Sequence, residues 1–215
     1  MIWSNDRRKE LISWLMTNGK KEFYSALKTQ KFLFFFESFS KLKGYDPDFS
    51  KLKAYKNGPV FSDLYGDYKY RFDELVDVVT QVTPISIDES LAKKAHFLTK
   101  IMDNGELSEL THQFDIWSIH EDDIQKGLAQ IEMKESDFSA SDWQLTNELF
   151  DMYDNTIIEN SEVLVIGNRH FLFSKNDFRK LNEEQKNTLE LISLEESLIN
   201  PVYVEIGSEG ELIID

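Results

Sequence analysis

The 215-residue sequence predicts a mainly α fold. A helical body over residues 1–155 is organised around a central Phe-rich helix, and a small α+β tail over residues 156–215, with two β-hairpins, packs on it. Three observations carry this expectation. Apolar residues recur at helical spacing through most of the first 155 positions. The block Phe32-Leu33-Phe34-Phe35-Phe36 leaves no polar face for more than a turn, which marks a buried helix. After Thr156 the pattern changes to short apolar runs separated by Gly-containing turns. With 41% hydrophobic residues and 16 Phe, the chain has the apolar surface for a substantial core.

Taken in order, Asn5 or Ser4 caps a first helix from Asp6 to Asn18, with Leu11, Ile12, Trp14, Leu15 and Met16 as its apolar stripe and Gly19 as its stop. A second helix spans Lys21 to Lys43 through the Phe block, and Gly44 ends it. Tyr45-Asp46-Pro47-Asp48 is a turn. The stretch Lys53 to Tyr65 reads as a short strand, a tight Asn57-Gly58 turn and a helix that begins at Pro59, whose fixed φ suits a first helical position. Tyr65, Tyr68, Tyr70 and Phe72 then interleave with Lys69 and Arg71 in the manner of a nucleic-acid stacking surface. Asp63, Asp67, Asp73 and Glu74 surround that run, so no direct nucleic-acid binding is expected.

Beyond the break at Pro84, Ser86 or Asp88 caps a helix to Asp103 that Asn104-Gly105 closes, and a short helix follows from Ser108. Ser141-Asp142-Trp143-Gln144 matches a capping box for a helix to Tyr153. Residues 163–166 and 169–173 form a hairpin around Gly167-Asn168, a helix covers 182–193, and residues 201–206 and 212–214 form a second hairpin.

Several chemistries are excluded at this level. Without Cys there is no disulfide framework, thiol nucleophile or thiolate zinc site. The longest apolar run is five residues against the ~20 of a membrane span. The N-terminal residues Met1 to Lys9 turn polar at once, unlike a signal sequence, so no membrane association and a cytoplasmic location are expected. Neither a phosphate loop, a dinucleotide fingerprint, a nucleophile elbow nor a His-Glu-x-x-His motif occurs. His112 and His120, eight residues apart among acidic neighbours, match no standard ligand spacing, and neither metal nor cofactor is expected.

Charge is distributed unevenly. Residues 1–100 carry 17 Lys+Arg against 13 Asp+Glu, and residues 101–215 carry 7 against 26. Asp103 to Glu162 holds 16 acids and 2 bases, a surface that repels nucleic acid and attracts basic partners, or serves only solubility.

Three segments, in order, resemble a known family. Lys28-Thr29-Gln30-Lys31-Phe32-Leu33-Phe34-Phe35 is similar to the Lys-Leu-x-Lys-Leu-Leu-Tyr-Phe helix of the Panacea, or SocA-like, antitoxin domain, a phage-associated domain. Tyr55-Lys56-Asn57-Gly58-Pro59-Val60, followed by Tyr65, resembles its Trp-x-x-Gly-Pro-Val element. Leu107 to Trp117, with Thr111-His112, resembles its Leu-Ser-x-x-Thr-His-x-x-x-x-Trp box. The match covers about residues 8–155, with Thr29 where Leu is usual and Tyr55 where Trp is usual.

The resemblance implies a mostly helical, non-enzymatic module of prophages and toxin–antitoxin operons that neutralises a protein toxin by binding it. At least one member of that family looks instead like a proteolytic adaptor that delivers its toxin to a protease, and the resemblance leaves that alternative open for this chain. The expected partner is a protein toxin that is basic or carries a basic patch, since the second half of the chain is acidic. The candidate site residues are Lys31, Tyr55, Lys56, Gly58, Pro59, Val60, Tyr65, Thr111, His112 and Trp117. For each there is a structural alternative: Gly58-Pro59 as fold punctuation, and His112 with Trp117 as a buried clasp bracing it. Two other functions stay open. The acidic surface suits a phosphate mimic aimed at a DNA-binding enzyme, and His112 with neighbouring carboxylates suits a hydrolase.

Overall fold

A computed structural model describes residues 1–215. The chain is mainly α with two small sheets, and it divides into two compact units: Met1–Thr99 with Asn104–Tyr153, and Asp154–Asp215 with Lys100–Asp103. No helix is long and apolar enough to cross a membrane.

In the first unit, α1 (Asp6–Asn18) is capped by the Asn5 side chain, which accepts from Arg8 N at 2.9 Å. The helix expected over residues 21–43 is two helices, α2 (Lys20–Phe23) and α3 (Ala26–Leu42). The break falls at Ser25, whose side chain accepts from Lys28 N and so caps a new helix instead of continuing the old one. Every residue of α3 from Thr29 to Ser40 is buried, and Trp14 of α1 stacks on Phe32 at 5.8 Å. Burial of such a ring contributes ~1.5–3 kcal/mol, which makes α3 the axis of this unit.

Strands β1 (Leu52–Tyr55) and β2 (Gly58–Phe61) form an antiparallel hairpin ahead of α4 (Ser62–Tyr70). The expected helix start at Pro59 is therefore corrected: Pro59 is a strand residue opposite Ala54, and the helix begins at Ser62. Sheet order is β2-β1-β3, so β2 is an edge strand, where proline's missing N–H costs nothing. The strand is held straight to its end by Gln30, whose Oε1 accepts from Phe61 N at 2.7 Å.

Helix α4 is pinned by buried Asp67, which accepts from Trp3 N, Ser4 N and the Ser4 hydroxyl at 2.7–3.0 Å. α5 (Phe72–Gln81), unforeseen in the sequence, buries Leu75 and Val79.

After α6 (Glu89–Ile101), Asn104-Gly105 opens α7 (Asn104–His112) rather than closing the preceding helix. Ser108, expected to cap, lies inside α7 with its hydroxyl donated back to Asn104 O at 2.9 Å. Short helices α8 (Asp115–Ser118) and α9 (Glu121–Gln125) follow, then β3 (Ile131–Glu132), which pairs with β1. α10 (Ala140–Asp151) starts two residues before the expected box, capped by Ser139 and Asp142. Asp142 wins over Gln144 because its carboxylate does two tasks. It accepts from Ser139 N at 3.0 Å and also from Asp115 N and Ile116 N, capping α8.

In the second unit, α11 (Asn155–Asn160) leads into β4 (Ser161–Ile166) and β5 (Arg169–Ser174), the expected hairpin. Helices α12 (Lys175–Lys180) and α13 (Glu183–Ile192) cross to β6 (Val202–Ile206), which runs parallel to β5 and pairs with β7 (Leu212–Ile214). The two expected hairpins are thus halves of one mixed sheet, β4-β5-β6-β7. Phe171, Phe173, Leu189, Val202 and Val204 form its core.

Candidate functional site

The three motif segments meet on the tip of the β1–β2 hairpin. Asn57-Gly58 turns the chain with Gly58 at φ +103°, a conformation open to glycine and strained for any other residue. From α3, Lys31 reaches this turn and donates through Nζ to Asn57 O at 2.6 Å and to Thr111 Oγ1 of α7 at 2.7 Å. Thr111 in turn donates to Leu107 O at 3.0 Å. A Cβ at Gly58 would overlap both Lys31 Nζ and Thr111 Oγ1. Lys31 is 1% exposed and its acceptors are a carbonyl and a hydroxyl, with no carboxylate among them. Burial pushes its ammonium well below the ordinary lysine range.

On the other side of the tip, the His112 ring stacks on the Trp117 indole, with centroids 3.7 Å apart and planes 10° from parallel. Trp117 Nε1 donates to Tyr55 O at 2.9 Å. His112 is held below the usual histidine pKa first by burial and next by Lys31, against the opposing pull of Glu121, a hydrogen bond to the Lys56 backbone, and Glu109. Its Nε2 is buried without a hydrogen-bond partner.

A depressed folded-state pKa means that the unfolded chain binds more protons, so His112 stabilises the fold above its unfolded value of 6.5 and loses that contribution as pH falls through the folded value. His112→Phe keeps a ring on Trp117 and removes the titration. Its urea stability should therefore fall less than that of the native protein between pH 7 and pH 5, roughly the range over which histidine titrates. Parallel pH profiles for the two proteins would assign the loss to another group.

The outward face of the same hairpin carries the remaining motif residues. The rings of Tyr55 and Tyr65 lie 5.4 Å apart and 54° from parallel. Beside them is a cavity of about 270 Å³ walled by Leu27 of α3, by Pro59 and Val60 of β2, and by Tyr65 of α4. Burial, then Tyr65, raises the Tyr55 hydroxyl pKa. Lys56 is exposed at the hairpin tip, and Lys69 Nζ sits 5.9 Å from the Tyr65 ring and 5.2 Å from the Tyr70 ring.

All ten candidate residues gather at this hairpin but divide by task. Lys31, Gly58, Thr111, His112 and Trp117 hold it from within. Tyr55, Lys56, Pro59, Val60 and Tyr65 bound the outer cavity, and Lys31 belongs to its lining as well. A larger open groove of about 900 Å³ runs along Pro47–Lys53 and Gln130–Glu135 and takes in none of the ten.

Sequence reasoning missed Arg8. It is 2% exposed, donates to Asp63 Oδ2 at 2.7 Å and to Ser50 O, and lies 4.7 Å over the Phe61 ring. Its signal was present: Arg8, Leu11, Ile12 and Leu15 share one helical face, placing a charge on an apolar stripe.

No group of three or more His, Cys, Asp or Glu side chains is placed to hold a metal ion. Comparison with protein-family models, curated proteins and solved structures finds no match.

Proposed function

We propose that this chain is a non-enzymatic antitoxin of the Panacea, or SocA-like, kind that neutralises a protein toxin in the cytoplasm by binding it, with the β1–β2 hairpin as the binding face. The observation that supports this most is the gathering of three motif segments, separated by 20 to 80 residues, on one hairpin. Lys31, in the first of them, bonds directly to both others, to Asn57 O in the turn and to Thr111, at separations of 26 and 80 residues.

A catalytic role for His112 is supported less well. Its ring face is taken by Trp117, and Glu121 and Glu109 act on it only through their charge. Unit one is also polar in charge. Between Glu106 and Asp151 there are 12 acids and 2 bases, and Glu121 and Asp122 of α9 are exposed. Such a surface raises the association rate of a partner with a basic patch.

The test is association of the purified chain with the purified product of the adjacent gene. A complex is expected, with an on-rate that falls about tenfold or more between ~50 and ~500 mM salt, as screening shortens the reach of the acidic surface. Absence of a complex would overturn the proposal, and a salt-independent on-rate would remove the acidic surface from it.

A further inference from the structure

We infer that the cavity beside Tyr55 and Tyr65 receives one large apolar side chain presented by an acidic segment. This deepens the antitoxin reading, and rests on it only insofar as the segment belongs to the toxin.

The size of the cavity sets the first condition. About 270 Å³ lies below the ~300–1,000 Å³ of small-molecule sites, and suits a single anchoring side chain of the kind that dominates protein interfaces. Its walls set the second. Leu27, Pro59, Val60 and the two tyrosine rings offer an apolar and aromatic lining, matching a Trp, Phe or Leu in preference to a polar group.

Charge sets the third and decides what flanks the anchor. The chain carries 39 Asp+Glu against 24 Lys+Arg, yet no acidic residue lines this cavity and two lysines do. The charge that a ligand meets is that of Lys56, exposed at the rim, and of Lys69, which stands over Tyr65. A basic spot on an acidic protein disfavours a basic segment by like-charge contact and favours an acidic one. A toxin that presents a basic patch to α9 therefore presents a different, acidic stretch to the hairpin.

The experiment uses the full ¹⁵N-labelled chain and three blocked peptides: Glu-Glu-Trp-Glu-Glu, Lys-Lys-Trp-Lys-Lys and Glu-Glu-Ala-Glu-Glu. The acidic Trp peptide should shift the amides of Tyr55, Lys56 and Tyr65 and bind about tenfold more tightly than either other peptide, a difference of ~1.4 kcal/mol. Leu27→Trp, which fills the cavity from a half-buried helical position, and Lys56→Glu, at an exposed one, should each abolish those shifts while thermal unfolding shows the variants folded. Equal or tighter binding of the basic peptide, equal binding of the alanine peptide, shifts elsewhere on the chain, or no binding of any peptide would overturn the inference. If the acidic Trp peptide binds at the cavity but the adjacent gene product does not associate, the site stands and the antitoxin reading falls. If that product associates equally with the native chain and Lys56→Glu, the antitoxin reading stands and the site assignment falls.

Discussion

Gly58→Ala lowers the unfolding free energy by about 2–6 kcal/mol, the sum of ~1–3 for a non-glycine residue held at positive φ and ~1–3 for overpacking. Both terms arise at one atom. At φ +103° a Cβ is strained whatever surrounds it, and here it also overlaps Lys31 Nζ and Thr111 Oγ1. Neither neighbour has room to yield without loss. Lys31 would have to leave Asn57 O or Thr111, and withdrawing a buried donor leaves an acceptor unsatisfied at ~1–3 kcal/mol. Urea denaturation of the two proteins reads the difference directly. A loss under ~1 kcal/mol would show that the turn has freedom to re-form around the methyl group.

Arg8→Met is expected to cost about 3–5 kcal/mol, the range for removing one partner of a buried ion pair. Arg8 is 2% exposed, bonded to Asp63 and Ser50 and 3.4 Å from Asp48, and its guanidinium covers Phe61 at the end of β2. Its removal leaves the Asp63 carboxylate buried without its cation. Burial already raises the pKa of Asp63, with Arg8 the largest opposing influence, so the variant raises it further. A folded pKa above the unfolded one favours the protonated carboxyl in the native state. Stability is therefore lost as pH rises through that window, and the deficit of Arg8→Met should shrink as pH falls through it. Arg8→Met with Asp63→Asn should recover much of the loss, because the more buried of the two carboxylates that Arg8 faces, Asp63 rather than Asp48, no longer carries an uncompensated charge. A double variant as unstable as the single one would assign the effect to lost packing on Phe61 instead.

The parts of this fold that were legible in sequence are those determined by nearest neighbours. The Phe32 to Phe36 block announced α3, Asn5 announced α1, and Gly167-Asn168 announced the β4–β5 hairpin. Features set by distant partners were not legible. Proline's φ suits a helix start and an edge strand equally, and only pairing with Ala54, together with Gln30 holding Phe61, selects the strand at Pro59. β3 is two residues long and exists because β1 offers an open edge. Alternation marks β5 and β6 as strands without saying that they pair in parallel.

At the site, the candidate residues could be picked out only through a resemblance carried by their order, and their division of labour could not be read in the sequence. Lys31 and Thr111, 80 residues apart, become an internal tie, whereas Tyr55 and Tyr65 become the wall of a cavity. Arg8 went unnoticed because a lone basic residue on an apolar stripe acquires meaning only once Asp63 folds over it.

The most direct test of the account is growth of cells that express the adjacent gene product together with either the native chain or Tyr65→Ala. Tyr65 bounds the outer cavity and is only partly buried, so its truncation separates binding from folding better than any change at Gly58 or Lys31. The account predicts that the product alone arrests growth, that the native chain restores it, and that Tyr65→Ala, present at the same soluble level, does not. Restored growth with Tyr65→Ala, or arrest that persists with the native chain, would contradict it.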